Sequence, residues 1–249
     1  MTDVSPAVEA PPQEQPSNPF SRIIGVLMSP SRTFADIVRK PDWIVPALLL
    51  LAVSYVTVFV ISSRVDFASV YREALEAQHM PPEQQEQALR VATAIGKSFL
   101  FLGPLLGIGG IVIAAALLFL GLRLVGGQLT FLQAFAVTMY GWMPHVIGGI
   151  LAIVVALTRK TIGMEELQTL VHSNPAFLTH MKTNPMLFNF LSSIDLFSIW
   201  TMVLLIIGLS IAAKVSKVKT AAVVIALWLV FVLFKVGQGA LAAMRMARS

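Results

Sequence analysis

The sequence contains no cysteine, which excludes a disulfide framework and thiolate metal sites. Charge is scarce as well. Asp, Glu, Lys and Arg make up only 12% of the 249 residues, about half the share of a soluble domain. A soluble fold of this length needs a charged coat that this chain does not have. The stretch from Met1 to Ser17 has no Lys or Arg, and it carries Asp3, Glu9, Glu14 and several prolines. A secretory signal needs a basic start and an apolar core, so residues 1–17 read as a short disordered tail.

Enzyme signatures are missing too. There is no H-E-x-x-H zinc motif and no G-x-S-x-G nucleophile elbow. Gly96-Lys97-Ser98 looks like the end of a phosphate-binding loop, but the first glycine of that motif would fall at Val91. His79, His172 and His180 sit in polar connectors without metal-ligand spacing. The expectation is therefore no catalytic residue, no cofactor, no metal and no enzymatic activity.

What the chain does have is apolar residues in long blocks. Hydrophobic residues make up 56% of it, and the mean hydropathy is +0.78. A helix needs about 20 apolar residues to cross the roughly 30 Å of bilayer hydrocarbon at 1.5 Å per residue. Five stretches meet that length: 43–63, 98–122, 131–157, 194–213 and 220–243. The fold class expected is an all-α integral membrane protein, a bundle of five transmembrane helices with short amphipathic interfacial helices. Residues 18–42 form an amphipathic segment before the bundle, and 244–249 a short tail. The pI near 9.7 comes from scattered Lys and Arg, which read as topology and lipid-headgroup charges. The partner they imply is the lipid bilayer and not nucleic acid.

Two connectors are short, around Arg123 to Thr130 and Lys214 to Lys219. Two are long. Residues 63–97 read as two short helices broken at Met80-Pro81-Pro82. Residues 159–193 carry Asn174-Pro175 and Asn184-Pro185, which are turn or helix-start signals. Their apolar residues, among them Phe177, Leu178, Phe188 and Phe190, suit either interfacial segments or an ordinary extramembrane loop. Three lysines within Lys214 to Lys219 mark that turn as cytoplasmic by the positive-inside rule. Arg22, Arg32, Arg39, Lys40 and Arg123 agree. Five spans then put the N-terminus inside the cell and the C-terminus outside.

In the amphipathic segment, Phe20, Ile23, Ile24 and Leu27 share one helical face, with Arg22 among the polar residues around it. Pro30 ends this piece, and Ser31 is placed to cap a second short helix with Phe34, Ile37 and Val38. The segment reads as an element lying on the cytoplasmic leaflet. A docking surface for a protein partner is the sharper alternative.

Inside the spans, Gly103 and Gly107 form a G-x-x-x-G step that allows close helix approach. Pro104 removes a backbone hydrogen bond and predicts a kink. Pro144-His145 with Gly148-Gly149 do the same in the third span. Such kinked helices could frame a substrate path, although Gly and Pro also serve plain helix packing. Small-residue faces of this kind also suit a homo-oligomer. Asp195 and Lys235 are the charges closest to the apolar core. Counted from the Lys214–Lys219 turn, they differ in depth by about 5 Å. The reading is that they pair or reach one polar pocket. Otherwise Asp195 caps the fourth span and Lys235 snorkels.

The residues also resemble a family. Ser29-Pro-Ser-Arg-Thr-Phe34 followed by Pro41-Asp-Trp43 and Pro46 is similar to the entry to the first span in bacterial members of the Yip-one (Ypt-interacting protein) domain family. Thr130-Phe-Leu-Gln-Ala-Phe135, leading to Tyr140 and Pro144, looks like that family's middle hairpin. Ser193-Ile-Asp195-Leu-Phe197-Ser-Ile-Trp200, Gly208-Leu209 and Lys217-Val-Lys219-Thr-Ala221 look like its last. The resemblance runs from about Phe20 to Ala243. It implies five spans and a cytoplasmic N-terminus, and it supplies no catalytic residue. Eukaryotic relatives bind Rab-type GTPases in vesicle traffic, while bacterial relatives generally have no assigned activity. The short tail and Ser-Pro-Ser entry are of the bacterial type, so Rab binding is not carried over. The function expected is a non-enzymatic membrane-organising or partner-binding protein of the bacterial inner membrane. A transporter or lipid-handling protein with a polar cavity near Asp195 and Lys235 is the alternative.

Overall fold

The computed structural model describes residues 18–65, 81–163, 166–181 and 183–246. All regular structure among them is helical. Five helical stretches are long and apolar enough to cross a membrane: Ile44–Ser62, Phe101–Leu124, Phe131–Thr158, Leu196–Ala213 and Lys217–Leu241. Each expected span is present within a few residues. The tail at 1–17, the first of the two helices expected in 63–97 and residues 247–249 lie outside the described residues.

Two short helices precede the bundle, α1 (Pro19–Met28) and α2 (Pro30–Arg39). Asn18 caps α1 by accepting from the Phe20 amide at 2.7 Å. The first piece ends before Pro30, as expected. Pro30 also opens α2 in its first turn, with Ser29 as the N-cap residue in place of Ser31, which lies inside the helix. Proline suits that position because the first amides of a helix have no partner to lose.

The first span is α3 (Ile44–Ser62). The second, α4 (Pro82–Leu124), is one continuous helix running through Pro104. The second of the expected connector helices therefore does not stop at Lys97 but merges with the span. The third span is divided into α5 (Phe131–Gly141) and α6 (Met143–Thr158). The division falls at Trp142, two residues before Pro144. Proline lacks an N–H, and its ring crowds the carbonyl four residues back, so the helix must open there. A capping box at Thr130 and Gln133 starts α5. Beyond α6 come two 3-10 turns, Glu166–Gln168 and Pro175–Leu178, and the short helix α7 (Pro185–Leu191). The last two spans are α8 (Leu196–Ala213) and α9 (Lys217–Met246).

One core runs through the bundle, centred on α5 and α8 with contributions from α2, α3 and α4. Where helices touch most closely, glycine faces a bulky neighbour: Gly141 meets Leu205, Gly148 meets Phe197, and Gly121 meets Val223. Gly103 and Gly107 do not serve this way. Among the described residues, a β-carbon at either position would find no neighbour within 4 Å. The G-x-x-x-G step therefore faces outward from this chain and is not a contact within the bundle.

One face of the α1–α2 pair packs into the bundle. Phe34 and Ile37 of α2 and Val26 of α1 are fully buried. Phe34 packs on Gly208 of α8 beside Val137 of α5, and the Val38 carbonyl accepts from the Gln133 side chain at 3.1 Å. Gly149 lies against Val53 of α3, so α3 runs beside the third span in the same direction. Asp42, just before α3, sits beside Tyr140. At 1.5 Å per residue, Tyr140 is about 13 Å along α5 from Phe131. The first span thus starts well below the end of the third, and the α1–α2 hairpin fills the resulting step. Phe20, Ile24 and Met28 stay exposed, at 68%, 63% and 79%. They recur every fourth residue and form one apolar stripe on α1, suited to acyl chains.

Candidate functional site

The charges held within the bundle fall into two groups. The first joins α1, the loop before α3, and α5. Arg22 is 1% exposed, although its place in the sequence suggested a polar face. Its guanidinium donates to the Asp42 carboxylate at 2.8 Å, the Lys40 carbonyl at 2.9 Å and the Asp36 carbonyl at 3.3 Å. The other Asp42 oxygen accepts from the Tyr140 hydroxyl at 2.5 Å. The guanidinium suits this place because its planar fork addresses several oxygens at once. The network ties the hairpin to the third span. None of these three residues was singled out from the sequence as a site. The available signal was a lone Arg in an apolar helix followed, across two prolines, by an Asp at a span entrance.

The second group lies where α8 begins. Asp195 is the N-cap of α8 and accepts from the amides of Phe197 at 2.9 Å and Ser198 at 3.2 Å. Its second oxygen accepts from the Ser173 hydroxyl. Lys235 of α9 donates to the Ser192 hydroxyl at 2.9 Å, and the Lys235 carbonyl accepts from Asn189 at 2.9 Å. Asp195 and Lys235 reach the same end of the bundle. They form no ion pair with each other. The helix amides and Ser173 occupy the carboxylate, and Ser192 takes the ammonium.

His145 sits between the two groups. Its Nδ1 lies 3.1 Å from the Thr201 hydroxyl, and its ring stacks on Trp142 with centroids 5.8 Å apart. Pro144 places it there by opening α6 at the division of the third span. Pro104 is in α4, apart from both groups. Of the five residues singled out from the sequence, then, Asp195 and Lys235 share one end of the bundle. His145 and Pro144 shape the third span, and Pro104 joins neither group.

The chemistry open to these groups is limited by their partners. Each carboxylate oxygen of Asp42 and Asp195 accepts at least one hydrogen bond. Among the described residues, no three His, Cys, Asp or Glu side chains are grouped to hold a metal ion. What the first group does well is hold two elements together. A buried charge network of this kind is strongly destabilised when one member is removed.

Comparisons with known proteins agree with this architecture. The sequence matches the Yip1 domain over residues 24–237. It is 25% identical over 217 residues to the membrane protein YknW of Bacillus subtilis (strain 168), covering 87% of this chain and 89% of that one. No solved structure matches it.

Proposed function

The chain belongs to the Yip1 domain family, and from that premise we propose that it is a non-enzymatic membrane-organising protein that binds a protein partner on its α1–α2 hairpin. In this reading it sits in the bacterial inner membrane with its N-terminus in the cytoplasm. The observation that carries the proposal is the hairpin itself. The Arg22–Asp42–Tyr140 network anchors it to the bundle, while Arg32 and Arg39 of α2 and Lys40 just after it are exposed, Arg39 beside its ion-pair partner Asp36. A rigid anchor under an outward basic face is what a docking element requires, because little ordering remains to be done on binding.

The transporter reading has less support. Asp195 is engaged by its own helix and Ser173, and Lys235 by Ser192. Two measurements test the proposal. A photo-crosslinking residue at position 32 or 39 in living cells should give a discrete adduct, lost when both positions carry glutamate. Purified chain in proteoliposomes should move neither lipid nor solute above the rate of empty vesicles. Flux that disappears in Asp195→Ala would reverse the proposal in favour of transport. Reporters fused after Lys97, Gly127, Thr183, Ser216 and Ser249 test the topology. A cytoplasmic signal at Ser249 would refute it.

A further inference from the structure

At the end of the bundle away from the α1–α2 hairpin, the connector between α6 and α7 encloses an open recess of about 350 Å³. That is near the lower end of small-ligand sites. Its position is fixed by the spans. Arg159 follows Thr158, the last residue of a membrane-length stretch, so the recess opens at the depth of lipid headgroups. The connector is held in place there. The Ile162 amide donates to the Arg64 carbonyl at 2.9 Å, and the Arg64 guanidinium holds the Arg159 carbonyl. Ile162 and Leu170 pack with Val65 and Ala156 in a small core of their own.

The lining has two characters. Leu170 and Phe188 are buried at 7% and 2% exposure and give the recess an apolar floor. Around them stand Arg159, Glu166, His172 and His180. His172 is held in the left-handed region at φ 50°, with its ring 5.2 Å from Phe177. Arg159 and Glu166 carry opposite charges in one recess, yet they make no ion pair with each other. Neither side chain has another partner among the described residues. Phe177 at the edge of the recess and Leu178 next to it remain 47% and 74% exposed.

We propose that this recess binds the headgroup of a zwitterionic phospholipid with a primary ammonium. Arg159 takes the phosphate, with the two histidines as further donors, and Glu166 takes the ammonium. A guanidinium addresses phosphate oxygens through paired N–H groups, and a carboxylate pairs best with an ammonium that has hydrogens to donate. A ligand bearing both charges satisfies both residues at once, whereas an anionic headgroup would leave Glu166 unmatched and repelling. The exposed Phe177 and Leu178 offer the acyl chains an apolar path out of the recess.

The test uses the full chain in detergent, titrated with single lipids and read by native mass spectrometry. Phosphatidylethanolamine should be retained about tenfold more tightly than phosphatidylglycerol or phosphatidylcholine, a difference of about 1.4 kcal/mol. Arg159→Gln and Glu166→Gln should each remove that preference. Arg123→Gln, at the opposite end of the bundle, should leave it intact. A phosphatidylethanolamine carrying a photoreactive group near its headgroup should label peptides spanning residues 166–181 in the unmodified chain, which keeps the test decisive if a variant does not fold. Equal retention of the three lipids, labelling elsewhere, or an unchanged preference in both recess variants overturns the proposal. Saturation by free phosphoethanolamine at the same concentration would overturn its lipid character.

Discussion

Removing the Arg22 guanidinium should release the α1–α2 hairpin while leaving the five spans in place. Arg22→Met keeps most of the side chain's length and apolar contact and deletes only the charge. Asp42 then loses its ion pair at 2.8 Å, and the Lys40 and Asp36 carbonyls lose a donor. Stripping one partner from a buried pair costs about 3–5 kcal/mol. Asp42 is itself 29% exposed, so water recovers part of that loss and the lower end, about 3 kcal/mol, is expected. This corresponds to a change of roughly 150-fold in the hairpin's closing equilibrium. Asp42→Asn alone should cost about as much, because Arg22 is then buried beside a neutral amide. The double variant Arg22→Met with Asp42→Asn should be less destabilised than the sum of the singles by about 1.5–3 kcal/mol. Amide hydrogen exchange in lipid nanodiscs reads this locally. Protection should fall across residues 19–39 and hold across α8. If exchange in α1 and α2 is unchanged in Arg22→Met, or if the two substitutions simply add, the network does not anchor the hairpin.

The remaining predictions concern packing and caps. Gly208→Ala should lower the thermal stability of the chain in nanodiscs by about 1–3 kcal/mol, because a β-carbon there meets Val137 at 2.6 Å and Phe34 at 2.8 Å. Gly107→Ala should be neutral or stabilising by up to about 1 kcal/mol, since none of the described residues stands within 4 Å; a loss as large as that of Gly208→Ala would refute the placement of α4. Asp195→Ala should destabilise by about 1–2 kcal/mol through loss of the cap, while Asp195→Asn keeps an acceptor for the α8 amides and should cost less in the same melt. The exchange Asp195→Lys with Lys235→Asp should be no more stable than the worse single change. Rescue by the exchange would mean that the two charges pair after all.

The five spans were legible in the sequence because each depends on a local run of apolar residues, and length alone decides whether a run can cross. The network at Arg22 was not legible for the opposite reason. Its partners lie 20 residues away, at Asp42, and, through Asp42, a further 98 residues on at Tyr140. A single helix read by itself puts Arg22 on its polar side. Spacing also misdirected attention among the glycines. Gly103 and Gly107 carry the motif, but only the folded bundle determines which face of a helix meets a neighbour. Gly208 and Gly141, with no motif, make the close contacts. Asp195 and Lys235 both reach the region where α8 begins, through Ser173 and Ser192. Their lack of pairing follows from local chemistry: helix amides at short range, together with Ser173 and Ser192, occupy both groups first.

Helix α4 spans Pro82–Leu124, and its membrane-length part begins at Phe101. At 1.5 Å per residue, the part before Phe101 projects about 28 Å past the apolar stretch. It stands as a mast on the membrane. Immediately inside the base of that mast come Gly103, Pro104, Gly107, Gly109 and Gly110, where a backbone hydrogen bond is missing and side chains add little stiffness. The most compliant length of the helix therefore lies where leverage is greatest. A tilt of 10° at that joint moves the mast's tip by about 5 Å over the projecting length. The lower part, wedged where Gly121 meets Val223, need not follow. A load applied outside the bilayer would be absorbed at this joint before it reached the packed core.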